Sequence, residues 1–217
     1  MFGKRIQRIV EPGDRIAEAM LGIIMALTFT GTLSVADAGR NDVRAMLIGA
    51  LGCNLAWGII DGIIYVMISA AQRGAELQAV RIARSTPFAE RARRALADVL
   101  PDEIADVMTD DELDAIRDRL SRGPAPEAHV RFGVRDLLAG LGVCLIVFCT
   151  TLPLAIPFVL FDEIHRAMRW SNGIAIALLF VAGAAYARNV GGRPWHVGLG
   201  MVLMGSVLVA ITIALGG

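Results

Sequence analysis

Asp61 is the side chain whose position most suggests chemistry, because it is the single charged residue in the apolar run from Ala45 to about Ala71. An aspartate at the centre of a membrane helix costs about 2.5–3.5 kcal/mol on insertion scales, so it is expected to face a partner or a watery cavity. Such a carboxylate suits a group that exchanges a proton or binds a cation. The simpler reading is a hydrogen bond to a neighbouring helix, and the sequence leaves both readings open. Trp57 and Tyr65 lie one helical turn to either side of Asp61, and Asn54 lies two turns back. Gly58 and Gly62 form a small-xxx-small pair around it, which permits close approach of another helix.

Other candidates are weaker. An earlier apolar run has no carboxylate but carries Met25 and the hydroxyls Thr28, Thr30, Thr32 and Ser34. A thioether is a soft metal ligand, although packing explains most methionines in such helices. The hydroxyls suit bonds back to their own backbone. A hydrophilic region further on is rich in carboxylates, among them Glu76, Asp102, Glu103 and Asp106. Glu103 and Asp106 are one turn apart and Asp102 shares a face with Asp106, so hard oxygen ligands for a divalent cation are available. The alternative is a solvated face laced with i,i+4 ion pairs such as Glu90–Arg94 and Asp118–Arg122.

Several classes are excluded. His129, His165 and His196 are scattered over connecting segments and no Gly-rich loop has phosphate-binding spacing, so an enzyme is not expected. With 21 basic and 21 acidic side chains there is no basic surplus for nucleic acid. Cys53, Cys144 and Cys149 form no CxxC pair, so neither a disulfide framework nor a zinc site is indicated. No permanently bound cofactor is implied.

The elements that must hold these residues follow from hydropathy. Of the 217 residues 55% are hydrophobic, and the mean hydropathy of +0.58 is high for a soluble domain. The charges collect in a few segments, leaving apolar stretches long enough to cross about 30 Å of hydrocarbon as helices. The expected spans are Ala19–Ala36, Ala45–Ala71, Leu137–Phe161, Trp170–Ala187 and Val197–Leu215. This predicts an all-α membrane protein of five transmembrane helices, with a helical insert between the second and the third. Residues 1–18 read as an amphipathic segment lying on the membrane surface, broken at Pro12-Gly13, with Asp14 capping the next helix. Residues 19–71 hold the first two spans, 72–135 the insert, and 136–217 the last three spans.

Within the insert, Pro87 and Pro101 mark helix starts, Thr109 and Glu112 have capping-box spacing, and Gly123-Pro124 ends a helix whose apolar face is Leu113, Ile116 and Leu120. The second span is expected to continue as helix into this region. Basic residues set the orientation. Lys4, Arg5, Arg8, Arg15 and the many insert arginines face only Arg40 and Arg44 in the first loop, and Arg166 and Arg169 in the third. The positive-inside rule places the N-terminus and the insert in the cytoplasm and the C-terminus outside, in a bacterial inner membrane.

This layout resembles the vacuolar iron transporter family. The third span carries Pro153-Leu-Ala-Ile-Pro157, similar to the family's paired prolines, and Gly183-Ala-Ala-Tyr-Ala-Arg188 with Trp195-His-Val-Gly-Leu-Gly-Met-Val-Leu-Met-Gly205 resembles its final hairpin. Gly52-Cys-Asn-Leu-Ala-Trp-Gly-Ile-Ile-Asp61 is similar to its second span. The resemblance implies a homodimer in the lipid bilayer that exchanges a divalent metal cation, iron or manganese, for protons. Spans one and two would line the path and the insert would collect the ion. The family's first-span aspartate falls on Met25, its second-span glutamate close to Asn54, and its Ser-Met pair on Asp61-Gly62. The expected path is therefore Asp61, Asn54, Met25 and Tyr65, with Glu76, Asp102, Glu103 and Asp106 as insert ligands. The loss of the first-span carboxylate supports a second reading, a transport-inactive scaffold or regulatory protein of the same fold.

Overall fold

A computed structural model describes residues 12–31 and 40–214. Among these, all regular structure is helical: α1 (Pro12–Gly31), α2 (Arg40–Ser85), α3 (Ala89–Ala97), α4 (Asp102–Ala105), α5 (Asp110–Arg122), α6 (Val134–Leu160), α7 (Ile164–Asn189) and α8 (Pro194–Ala214). Four of the described helices, α2, α6, α7 and α8, are long and apolar enough to cross a membrane. The first expected span is helical to Gly31, and its remainder lies outside the described residues, as does most of the expected surface segment. Pro12, Gly13 and Asp14 are already helical. Proline is tolerated in a first turn because the N–H it lacks has no intrahelical acceptor there, so α1 can start at Pro12; what precedes it lies outside the described residues, and Asp14 sits inside the helix rather than capping it.

The apolar helices also extend beyond their charge-free cores. Helix α2 begins at Arg40 and α7 at Ile164, inside segments expected to be loop and turn. Charged first and last turns are ordinary for membrane helices, because their side chains reach the aqueous boundary. As expected, α2 continues as helix past Ala71, to Ser85.

The chain divides into two compact units, residues 1–65 with 135–217, and residues 66–134. In the first, α1 is the enclosed helix. Its Met20, Ile23, Ala26 and Leu27 are buried with Leu154 of α6 and with Ala175 and Leu179 of α7. Helix α2 runs antiparallel to α1: Gly49 lies against Phe29, and Asn54 against Gly22. It also runs antiparallel to α6, with Gly58 against Cys144 and Gly62 against Gly140. Helices α7 and α8 form a hairpin. Gly191 takes a left-handed φ of 74° at its turn, and the Gly192 N–H donates to the Ala187 carbonyl at 2.7 Å. This is the Gly-terminated helix end expected before a following Pro-started helix.

Among the described residues, one face of α2 is left uncovered. Ile59, Ile60, Ile63, Ile64, Met67 and Ile68 are each between 43% and 63% exposed. A continuous aliphatic strip of this kind belongs against hydrocarbon rather than water. The protein is an integral membrane protein.

The second unit packs around Ala83, Ala92, Leu96 and Leu113, with Ile116 and Leu120 alongside. Thr109 and Glu112 form the expected capping box at the start of α5, which stops at Arg122 before Gly123. Helix α4 starts directly after Pro101. The Glu90–Arg94 and Asp118–Arg122 pairs are formed, at 2.8 and 3.8 Å. Arg93 joins α3 to α5 by contacting both Asp110 and Asp114. Arg117 of α5 donates to the Ala83 and Thr86 carbonyls at the end of α2, at 3.0 and 2.5 Å.

Candidate functional site

The antiparallel crossing of α1 and α2 has a consequence for charge. Passing from Phe29–Gly49 through Gly22–Asn54, the next level along the two helices holds Glu18 and Asp61. The crossing places the two carboxylates at one level, one on each of the adjacent helices. Both side chains are partly buried. Each has one oxygen, Oε2 of Glu18 and Oδ2 of Asp61, shielded from solvent and without a hydrogen-bond donor among the described residues. An acceptor in that state carries the full cost of its lost hydration unless a cation or proton meets it.

What holds the pair in place is the polar contact one level away. Asn54 is buried, and its Nδ2 donates to the Gly22 carbonyl at 3.2 Å and to the Thr151 hydroxyl. One amide therefore ties α2 to both α1 and α6. Beside Asp61, the α2–α6 approach is set by glycines: a Cβ on Gly58 would stand 2.8 Å from the Cys144 carbonyl oxygen. The Gly58-xxx-Gly62 pair thus receives a helix of the same chain.

The sequence-predicted path residues are distributed around this pair. Met25 is half-buried, two turns beyond Glu18 on α1. Tyr65, one turn after Asp61, packs on Ala139 and Val143 of α6. The four insert candidates belong to the second unit. Glu76 is exposed on α2, Asp102 and Glu103 are exposed on the four-residue α4, and Asp106 is exposed at its end. Among the described residues, no three His, Cys, Asp or Glu side chains form a group that would hold a metal.

Glu18 was not singled out by sequence, because the charge-free run begins at Ala19 and assigned it to the surface segment. The available signal was its spacing, since Glu18, Gly22 and Met25 repeat at i, i+4 and i+7 and so share one helix face.

Helices of this apolarity, with a carboxylate pair between the first two and a separate charged helical unit after the second, suggest an ion-handling membrane protein. The sequence model of the VIT family matches residues 69–217. The chain belongs to the vacuolar iron transporter family. A comparison with curated proteins finds no match. The family match covers the second unit and helices α6 to α8, including the Pro153–Pro157 segment and the α7–α8 hairpin. Glu18, Met25, Asn54 and Asp61 precede it, so their roles rest on this chain's own geometry. The VIT family is a family of membrane metal-ion transporters, not of enzymes.

Proposed function

We propose that this transporter exchanges a divalent metal cation, iron or manganese, for protons, and that Glu18 and Asp61 form the exchange site. The observation that carries this is the pairing of two partly buried carboxylates from adjacent helices, each with an unsatisfied oxygen. Two such groups accept a divalent cation when both are ionised, because hard oxygens suit it and its charge cancels their repulsion. When the cation leaves, a proton relieves the same repulsion. Metal and proton then compete for one pair of groups, which is the requirement for exchange.

Other residues support the site. Asn54, fixed by its bonds to α1 and α6, sets the level at which α1 and α2 meet. Met25 adds a soft neutral ligand for iron further along the path, and Tyr65 lines the path beside Asp61. The exposed Glu76, Asp102, Glu103 and Asp106 act as a collecting surface for cations. The functional unit is a homodimer in a bacterial inner membrane, with the N-terminus and insert cytoplasmic and the C-terminus outside.

Proteoliposomes loaded with metal-sensitive and pH-sensitive dyes test this. Glu18→Gln and Asp61→Asn should each lower Fe2+ or Mn2+ uptake at least about tenfold, since each loses one anionic ligand from a desolvated site. Proton counterflow should fall in parallel. If the double variant carries metal at the parent rate, the site is wrong. A second reading, a transport-inactive scaffold, draws support from Met25 of α1, which stands where the family's first-span aspartate falls. It predicts no uptake by the parent protein and no metal-dependent rise in melting temperature.

A further inference from the structure

At the opposite end of the first unit from Glu18 and Asp61, the start of α2, the end of α6 and the start of α7 enclose an open groove of about 610 Å³. Its lining is graded along the helices. Arg44 lies about one turn inside the first residue of α2, and Leu47, Ile48 and Leu51 follow on the same face at i+3, i+4 and i+7. Phe158 and Val159 face them from α6, and Ile164 from α7. The groove is charged at the helix ends and aliphatic towards the middle of the span.

Three observations indicate what fits there. Arg44 is exposed and makes no hydrogen bond or ion pair among the described residues. The second charged residue of the lining, Asp162, already has an interaction partner. Next to the groove mouth, Phe161 stacks on Trp170 with ring centroids 6.2 Å apart, and the Arg166 guanidinium lies 5.4 Å over the Phe161 ring. Aromatic and basic side chains grouped at helix ends mark the level of lipid headgroups. A cation at headgroup level, above an aliphatic channel parallel to the helices, matches a phosphodiester with an acyl chain below it.

We infer that this groove is a binding site for a phospholipid, with its phosphate at Arg44 and one acyl chain along Leu47, Ile48, Leu51 and Val159. The site is separate from the exchange site and does not depend on it. The fit is one of charge and of polarity gradient together, so neither part of the ligand suffices alone.

Purified protein in detergent, titrated with defined additives, provides the test by native mass spectrometry and thermal unfolding. Phosphatidylglycerol should give a discrete bound species and raise the melting temperature by about 4 °C at saturation. Diacylglycerol, which lacks the phosphate, and inorganic phosphate, which lacks the chains, should each do little. Arg44→Gln should weaken phosphatidylglycerol binding about tenfold, with Arg44→Lys retaining most of it. Ile48→Trp, at an exposed position that fills the groove, should block binding without unfolding the protein. Equal stabilisation by diacylglycerol, or by phosphate alone, overturns the inference. So does an Ile48→Cys variant that crosslinks to a second copy of the chain regardless of added lipid.

Discussion

At the scale of single residues, two polar contacts have consequences that can be measured. Asn54 is a buried amide whose nitrogen serves two acceptors on two other helices. Asn54→Leu keeps the volume and leaves the Gly22 carbonyl and the Thr151 hydroxyl without their donor. The expected loss is about 1–3 kcal/mol, the cost of an unsatisfied buried polar group, read from thermal or denaturant unfolding in detergent. Glu112 gives a prediction in pH. Its Oε2 accepts from the Thr109 N–H at 2.8 Å and from the Thr109 hydroxyl at 2.9 Å. Both bonds favour the ionised form, so the backbone contact first and the hydroxyl second hold this carboxyl below the usual glutamate range. Because the folded value is depressed, the stabilisation is present above the unfolded value and is lost as pH falls through the folded one. The stability difference between the parent and Glu112→Gln should therefore be largest near neutral pH and shrink on acidification. The Thr109–Glu112 box was legible in the sequence because a cap is a local motif three residues long. Glu18 was not, because its significance depends on a helix whose contacting residue lies far along the chain.

At the scale of elements, the contact between α2 and α6 brings backbone against backbone at Gly58 and Gly62. A Cβ on Gly58 would meet the Cys144 carbonyl, whereas Gly52, on the same helix, has open space around it. Gly58→Ala should therefore push the helices apart and cost about 1–3 kcal/mol, as overpacking in a close-fitting core does. Gly52→Ala should be neutral or slightly stabilising, because alanine favours the helix over glycine. Comparing the two melting temperatures separates a packing effect from one of propensity. The small-xxx-small spacing at Gly58 and Gly62 showed that some helix would approach, but not that it would come from the same chain. Pair spacing on one helix carries no label for its partner. The long apolar helices themselves were readable from hydropathy, and only their ends were misjudged, since charged terminal turns look like loop in a sequence. Pro153 and Pro157 were correctly placed within a span, and α6 continues through both.

At the scale of the whole molecule, the weight falls on α1, whose described residues end at Gly31 within the charge-free run Ala19–Ala36. Its 20 described residues span about 30 Å at 1.5 Å per residue, the thickness of the hydrocarbon core. Its first turns carry Asp14, Arg15 and Glu18, while Met20, Ile23, Ala26, Leu27 and Thr30 are buried against other helices. A helix so enclosed by α6, α7 and α8 cannot lie flat on the membrane surface without abandoning that core. We therefore expect five crossings, and an odd count puts the two chain ends on opposite sides. The expected orientation follows from the arginines of the N-terminal and insert segments, which outnumber those of the first and third connecting loops. Single cysteines placed at Gly3, ahead of α1, and at Gly217 should answer this in a background lacking Cys53, Cys144 and Cys149. A membrane-impermeant maleimide added to intact cells should label Gly217→Cys and leave Gly3→Cys unmodified until the membrane is opened. Labelling of both positions from the same side would require an even number of crossings. That result would move α1 out of the bilayer and with it Glu18, leaving Asp61 without the partner on which metal–proton exchange depends.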